Sequence, residues 1–450
     1  MAKRSCKDCD LEVFENSDKC ILHCEKDDWY KVEDNGNKNW DKSEENINLF
    51  WEKFYEEYGP RQILFAIKNV VFPKFESQGL AKQSPRKIVF EHINNYLKFE
   101  NCTFKDEIYL NKYINKLEFK ECKFLAKFEL SRNDIEKGLT FINCTFNKNL
   151  ILKNVTFKID SKVRIKNCSM IENVNFENAT FEDLADFNKT CFNEINFYKT
   201  TFKDISVFTE TIFNKKVDFK HTTFEKLSIF RNSEFKNSIN LKDAIFKEKA
   251  NFLEIKTDVL NRETARIIKD SFEQQNNIIE ANKFYALEMK AREDELERDI
   301  REGKNFFEWL VFKIHGLSSN HSQDWLLALF WILNITFSLL TTQESMKIFG
   351  NSLVAYIPII TMIVLGVITS NIDDKKSLTI FLFLITFLNY GVFKIISKEH
   401  SLDCISQKIN PFSIMTELSN IDFVTFVYKI IIAYLIYQFI VSIRQNTRRK

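Results

Sequence analysis

FENATFEDLADFNKTCFNEINFYKTTFKDISVFTETIFNKKVDFKHTTF, residues 176–224, sets a phenylalanine at every fifth or sixth position, from Phe176, Phe181, Phe187 and Phe192 onward to Phe224. Pairs five residues apart recur mostly at intervals of eleven, and the pairing extends in both directions. Upstream lie Phe99/Phe104, Phe119/Phe124, Phe141/Phe146, Leu152/Phe157 and Ile165/Met170, with Leu130 and Ile135 bridging the gap before Phe141. Downstream lie Phe230/Phe235 and Leu241/Phe246, and the pattern stops near Phe252. Self-similarity this regular outweighs the propensity of any single window and marks a solenoid whose unit is an 11-residue double step.

A second column fixes the frame. Two positions before the large residue stands a small, branched or otherwise apolar one: Cys102, Cys122, Cys144, Val155, Cys168 and Ala179, then Thr190, Thr200, Thr211, Thr222, Ser233 and Ala244. Stacked coils explain both columns. Large residues pile up along the axis, small ones fill the corners, and the intervening Lys, Asn, Glu and Asp face water. Two units make a coil of about 22 residues, so 99–252 predicts roughly seven coils, about 33 Å long at the normal strand spacing.

Units such as FENCTF, FINCTF, FENATF and FYKTTF resemble those of the pentapeptide-repeat family, over about a third of the chain. The resemblance implies a right-handed quadrilateral β-helix with four short faces per coil. The chain departs from the family's strict five-residue period, since each second step carries an extra residue. Some members of that family bind DNA gyrase through an acidic, duplex-like surface. Residues 99–252 instead carry 26 Lys+Arg against 22 Asp+Glu, a net of +4, so a nucleic-acid mimic is disfavoured. The whole chain, with 64 Lys+Arg and 62 Asp+Glu, does not read as a nucleic-acid binder either. Its 45 Phe beside 9 Gly and 5 Pro is the skew expected of a repeat.

Residues 1–6 lack the apolar region of a secretory signal, so the N-terminal part is expected in the cytosol, where cysteines are free thiols or metal ligands. Cys102, Cys122, Cys144 and Cys168 belong to the small inward column and act there as small hydrophobes, whereas Cys191 falls one place off it and is expected to be more exposed. The other set, Cys6, Cys9, Cys20, His23 and Cys24, spells C-x2-C-x10-C-x2-H-C. This spacing predicts a structural zinc knuckle in 1–40, with the fourth ligand open between His23 and Cys24. In 41–95, a helical capping segment, Ile47, Phe50, Trp51, Phe54, Tyr55 and Tyr58 recur at helical spacing and end at Gly59-Pro60, a stripe expected to face the core.

The β-helix is assigned to 96–255. A helical connector follows over 256–304, read as helices at 261–275 and 278–301 that resemble the connector of membrane-bound pentapeptide-repeat proteins, and its expected role is to close the open end of the solenoid. Within 320–450, apolar stretches at 325–342, 351–370, 378–396 and 423–443 predict an α-helical membrane domain of about four spans. Arg444, Arg448, Arg449 and Lys450 place the C-terminus inside by the positive-inside rule. Both termini are then cytoplasmic, and the protein is integral to an inner or plasma membrane. Lys429, about six residues into the last stretch, either snorkels to the interface or lines a path through the membrane. Asn334, Asn389 and Gln438 are expected to bond neighbouring helices.

No G-x-x-x-x-G-K, G-x-G-x-x-G, H-E-x-x-H or G-x-S-x-G occurs, so no enzymatic activity is expected. The fold expected is multi-domain: β-helix, helical hairpin, membrane helices. The function expected is a membrane-anchored scaffold or sensor that docks an unidentified protein partner through the β-helix. The alternative is a homo-oligomeric ion channel gated by the cytoplasmic repeat. Residues 409–423 and the helix after them faintly resemble the loop and final helix of two-helix channels, without a TVGYG-like filter.

Overall fold

The computed structural model describes residues 6–15, 17–34, 36–39, 44–58, 66–74, 96–107, 116–130, 134–215, 217–350, 353–370, 372, 374–397, 403–412 and 423–447. The chain divides into two compact units, Met1–Gln275 and Asn276–Lys450.

The first unit is a β-solenoid of about 7 turns. Its short strands line up in parallel sheets of nine, twelve and six strands. Register is set by the large apolar column. Phe99, Phe119, Phe141 and Ile165 stand opposite one another in the nine-stranded sheet. Phe157, Phe181, Phe202, Phe224 and Phe246 do so in the six-stranded sheet. The rings of that last column stack at centroid distances of 4.9, 4.8, 5.1 and 4.6 Å, which is the distance between hydrogen-bonded strands. One spacing therefore serves backbone pairing and ring stacking together. Rings of adjacent columns meet edge to face, as Phe181 and Phe187 do at 6.1 Å, the arrangement the ring quadrupole prefers.

The small column explains how the chain turns its corners. Immediately before each small residue the backbone is left-handed, at Asn101, Asn143, Asn154, Asn167, Asn178 and Asn232, and also at Glu121, Lys189, Lys199, Glu210 and His221. From Ala179 onward the small residue's amide closes a turn on the carbonyl three back, as Thr200 does to Phe197 at 3.0 Å, so there the left-handed residue occupies the third position of a type II turn. Asparagine tolerates that conformation best among non-glycine residues. Its side chains also run a ladder between coils, with Asn167 Nδ2 donating to Asn143 Oδ1 at 2.8 Å and Asn178 Nδ2 to Asn154 Oδ1 at 3.1 Å. In the first coils the inward thiols point their Sγ at carbonyls, as Cys144 does to Phe119 O at 3.4 Å. In later coils threonine makes the same bond, Thr211 Oγ1 donating to Phe187 O at 2.9 Å. Cys and Thr are thus equivalent corner fillers. Cys191, off the column, is half-buried. Gly138 begins a strand at φ +123°, and a Cβ there would meet Lys162 O at 2.8 Å.

Outward residues pair from coil to coil, as Lys203 with Glu182 at 2.7 Å and Lys226 with Glu248 at 3.0 Å. At the front end, strands Ile67–Lys68 and Val71–Phe72 pair with Phe99 and Thr103 and their neighbours, so the sheets begin inside the segment read from sequence as a helical cap. Helix α1 (Glu44–Tyr58) buries Ile47, Phe50, Trp51 and Phe54, and Phe50, Trp51 and Phe54 meet Phe72 at 5.6–6.2 Å. At the far end α2 (Arg262–Gln274), capped by Asn261, closes the last coil with its side chains. Thr264 Oγ1 accepts from the Leu241 amide at 2.9 Å, and Gln275 Nε2 donates to Ala250 O at 2.7 Å. These bonds satisfy edge groups that would otherwise invite another strand.

The second unit is helical. Helix α3 (Ile278–Arg301) is followed by α4 (Phe306–Ser319), α5 (Trp325–Phe349), a 3-10 turn (Leu353–Tyr356), α6 (Ile357–Ser370), α7 (Lys375–Ser397), α8 (Asp403–Ile409) and α9 (Phe423–Thr447). Among the described residues, three helices, Trp325–Phe349, Lys376–Ser397 and Phe423–Thr447, are long and apolar enough to cross a membrane. The stretch expected as a further span, 351–370, forms the 3-10 turn and the 14-residue α6 instead of one long helix. The first candidate span is longer than its apolar run, because α5 continues through the polar 343–349, where Gln343, Glu344, Met346 and Lys347 are good helix formers. Helix α4 had no counterpart in the sequence reading. Asn389 Nδ2 donates to Asn334 Oδ1 at 2.6 Å and Asn334 Nδ2 to Thr386 Oγ1 at 2.8 Å, so α5 and α7 are bonded through the amides expected to do so.

Candidate functional site

Residues 6–24 are too few to bury a core of their own, and they fold around a side-chain cluster. Cys6, Cys9, Cys20 and His23 each offer one ligand atom, and these atoms all lie within 4.8 Å of one another. Two tight turns present them. The Asp8 amide points at Cys6 Sγ at 3.4 Å, and the His23 and Cys24 amides both bond the Cys20 carbonyl. His23 Nδ1 stands 3.5 Å from Cys6 Sγ and 3.3 Å from Cys20 Sγ, while Cys9 and Cys20 sulfurs are 3.4 Å apart. Of the two residues left open for the fourth place, His23 turns its ring into the thiols. Cys24 points away, its Sγ 3.7 Å from Ile21 O.

Burial governs the electrostatics of this cluster. It pushes the Cys9 thiol up to about 12 and raises Cys20 above the ordinary thiol value. At Cys6 burial also opposes ionisation, but the Asp8 amide and the Cys20 backbone outweigh it and hold the thiol below its usual value. His23 is pushed down, chiefly by burial, so its ring is neutral near pH 7. Three sulfurs and one neutral imidazole nitrogen, buried and convergent, fit a metal cation, which supplies the positive charge that thiolates need in a dry site.

Sequence reasoning missed Lys26 beside this cluster. Its side chain is fully buried, and Nζ donates to Cys24 O at 2.8 Å and Leu22 O at 3.4 Å. Trp29 and Phe50 take the ammonium on their ring faces, at 5.2 and 5.1 Å, a cation–π cage. Burial lowers its pKa to about 8. A lysine flanked by Glu25 and Asp27 carries the signature of an exposed residue, so nothing in the local sequence marks it. The segment is tied to the solenoid by Leu22 O, which accepts from the Val71 amide at 3.0 Å, and by Lys105, which pairs with Glu25 and Asp27.

Lys429 lies in α9 and is buried. Its Nζ donates to Gln407 O, Lys408 O and Asn410 O at 3.0, 2.9 and 2.8 Å. These are the carbonyls that the last turn of α8 leaves open, and a cation there also meets the negative end of the helix dipole. Helix α8 is itself packed among the apolar helices, with Ile405 against Phe337, Leu340 and Phe393. Gln438, nine residues farther along α9, accepts from Ser319 and Ser322 hydroxyls at 3.1 and 2.8 Å, joining α9 to the turn between α4 and α5. The basic tail residues Arg448, Arg449 and Lys450 lie outside the described residues, as do Gly59 and Pro60.

The chain matches no model of a known protein family, no curated protein and no solved structure, so its likeness to pentapeptide-repeat proteins rests on the two residue columns of its solenoid.

Proposed function

We propose that this chain is an integral membrane scaffold or sensor, in which a right-handed quadrilateral solenoid of the pentapeptide-repeat type docks a cytoplasmic protein partner and about four C-terminal spans hold it at the bilayer. The observation that carries this is the solidity of the solenoid. Phe141, Phe157, Phe176, Phe181, Phe197 and Phe224 are completely buried in continuous ring stacks, which leaves no lumen for a substrate and makes the outer faces the usable surface. Four faces per coil are supported by the coil that starts at Val163. Its strand residues fall at Val163–Lys166, at 169–170, at 174–175 and at Thr180–Phe181, with a register break between Met170 and Asn173.

Four crossings are supported by parity. Gln323 Nε2 donates to Gln445 Oε1 at 3.0 Å, and Asn446 Nδ2 donates to Gln323 O at 3.0 Å. The start of α5 and the end of α9 therefore lie together, whereas three crossings between them would end on opposite sides. The 3-10 turn and α6, of 4 and 14 residues, reach about 27 Å, enough for the missing return. The ion we assign to Cys6, Cys9, Cys20 and His23 is zinc in a structural role, since four protein ligands of this softness suit closed tetrahedral coordination.

A second reading, a homo-oligomeric ion channel gated by the solenoid, is favoured by α8. A short helix ends among apolar helices with its carbonyls turned to a cation, the kind of broken backbone tolerated at membrane depth only inside protein or along a water path. Single-channel recording from the purified chain in planar bilayers separates the two. Unitary currents that Lys429→Met abolishes overturn the scaffold. A silent bilayer, with photo-cross-links from Lys215 and Lys236 on the solenoid to one protein of defined mass, supports it.

A further inference from the structure

Helix α4 presents two unlike sides. Phe306, Phe307, Leu310, Val311, Ile314 and Leu317 are exposed, Phe307 by 80%, and at 100° per residue they fall within an arc of about 140°. Outside this arc the helix is clamped to the charged helix α3. Arg292 donates to Glu308 through Nε at 3.2 Å, and Lys313 Nζ reaches Glu293 and Glu297 at 2.6 Å each. Fourteen residues make a helix of about 21 Å, short for a crossing of the hydrocarbon core.

The far end of α4 is pinned at a definite level. Trp331 of α5 donates its indole N–H to Leu317 O at 2.8 Å, and Tyr434 of α9 meets the Ser318 hydroxyl at 3.3 Å. Trp331 lies six residues into α5, or about 9 Å along its axis. That is the depth at which amphipathic helices rest beneath the headgroups. Arg301 and Lys304, exposed just before α4, are suited to anionic headgroups at the same level. His321 packs against the inner side, where a Cβ on Gly316 would come within 3.2 Å of its imidazole, so α4 approaches the turn into α5 as closely as a glycine permits.

We propose that α4 is an in-plane interfacial helix: its apolar arc is covered by lipid where the headgroups meet the acyl chains, and its ion-paired side carries α3 on the membrane surface. This rests on the membrane reading above. The arc ends at Leu317, whose carbonyl is bonded to a candidate span, its depth is fixed by α5 and α9, and the groups bonded outside it are ones that lipid excludes. Any shift of α3 relative to the bilayer is then resisted by Arg292, Glu293, Glu297 and Lys313 through a helix that the membrane itself holds.

The test uses the full chain reconstituted into vesicles of phosphatidylethanolamine and phosphatidylglycerol, with photoreactive benzoylphenylalanine at Phe307, Val311 or Ile314 in separate samples. The same residue at Phe387, exposed on α7, reports the spans, and at Asp294, exposed on α3, reports solvent. After irradiation, mass spectrometry is expected to find lipid adducts at all three α4 positions and at Phe387, and none at Asp294. Adducts at Phe387 without adducts on α4 overturn the proposal and leave the membrane reading standing. Cross-linked dimers from the α4 positions overturn it in favour of a second copy of the chain. No lipid adduct even at Phe387 removes the membrane reading and the proposal with it.

Discussion

Replacing Phe181 by alanine takes a ring out of the middle of a stack. The ring is fully buried, lies 4.9 Å from Phe157 and 4.8 Å from Phe202, and meets the rings of Phe176 and Phe187 at 5.6 and 6.1 Å. Loss of a buried ring with little collapse costs about 3–5 kcal/mol, of which two stacked pairs account for about 1–3 kcal/mol. Phe246, in the last coil, is stacked on Phe224 on one side, meets Phe252 edge to face and is partly exposed, so its removal is expected to cost roughly half as much. Glu182, the outward neighbour, pairs with Lys203 at the surface, and Glu182→Ala is expected to cost about 1 kcal/mol or less. Hydrogen exchange on the intact protein in detergent reads these differences locally, which suits a solenoid whose coils touch only their neighbours. Phe181→Ala should speed exchange of the Thr156, Thr180 and Thr201 strand amides by roughly two to three and a half orders of magnitude, at about 1.4 kcal/mol per decade. Equal effects at Phe181 and Glu182, or at Phe181 and Phe246, would refute the frame and the stacking account.

The purified chain should carry about one zinc per molecule by metal analysis; Cys20→Ala should drop it below about a tenth, while Cys24→Ala should leave it, and equal loss from both removes His23 from the fourth place. Lys429→Met leaves the α8 carbonyls without their donor and should lower stability in detergent by about 2–4 kcal/mol, with faster proteolysis of 397–422; a variant as stable as the parent contradicts the capping role. The Glu293 carboxyl is held down at about 2, first by His321 and then by Lys313, so the stability it contributes is complete above the unfolded value near 4.5 and lost as pH falls toward 2. Thermal melts of Glu293→Gln should lack that share of the acid loss, and identical pH profiles would show that the α3–α4 clamp does not hold. A cysteine at Ser401, which lies outside the described residues, with Cys404 removed, should react with an impermeant maleimide in intact cells, and one at Thr447 should not; the reverse puts the solenoid outside.

How far the sequence could be read depended on whether the signal was periodic. The solenoid was legible because Phe181 or Phe202 can be inward only if the whole column is, and a ladder repeated over coils leaves one consistent frame. The metal-binding cluster was legible as a spacing, but choosing His23 over Cys24 depends on which way one turn faces, and adjacent residues share every sequence statistic. The position of Lys429 was visible, and its partners were not, since carbonyls of α8 carry no side-chain signature. Helix α4 escaped because its apolar arc sits between the charged end of α3 and the uniformly apolar α5, and a window centred on either averages the arc away. Strands Ile67–Lys68 and Val71–Phe72 escaped because two residues are too few to show any period before they find their partners in the next coil.

The left-handed corners reverse a familiar expectation about glycine. In most proteins glycine placed inside regular structure loosens it, because the unfolded chain gains freedom that folding must remove. Here the residues at Glu121, Lys189, Lys199, Glu210 and His221 hold a backbone shape that a side chain resists by about 1–2 kcal/mol, and glycine there relieves more than it loosens. The solenoid therefore sits below the stability its own backbone permits, chiefly over residues 189–221, where four of these five corners follow one another. Tuning it up or down at those corners requires no change to the aromatic core.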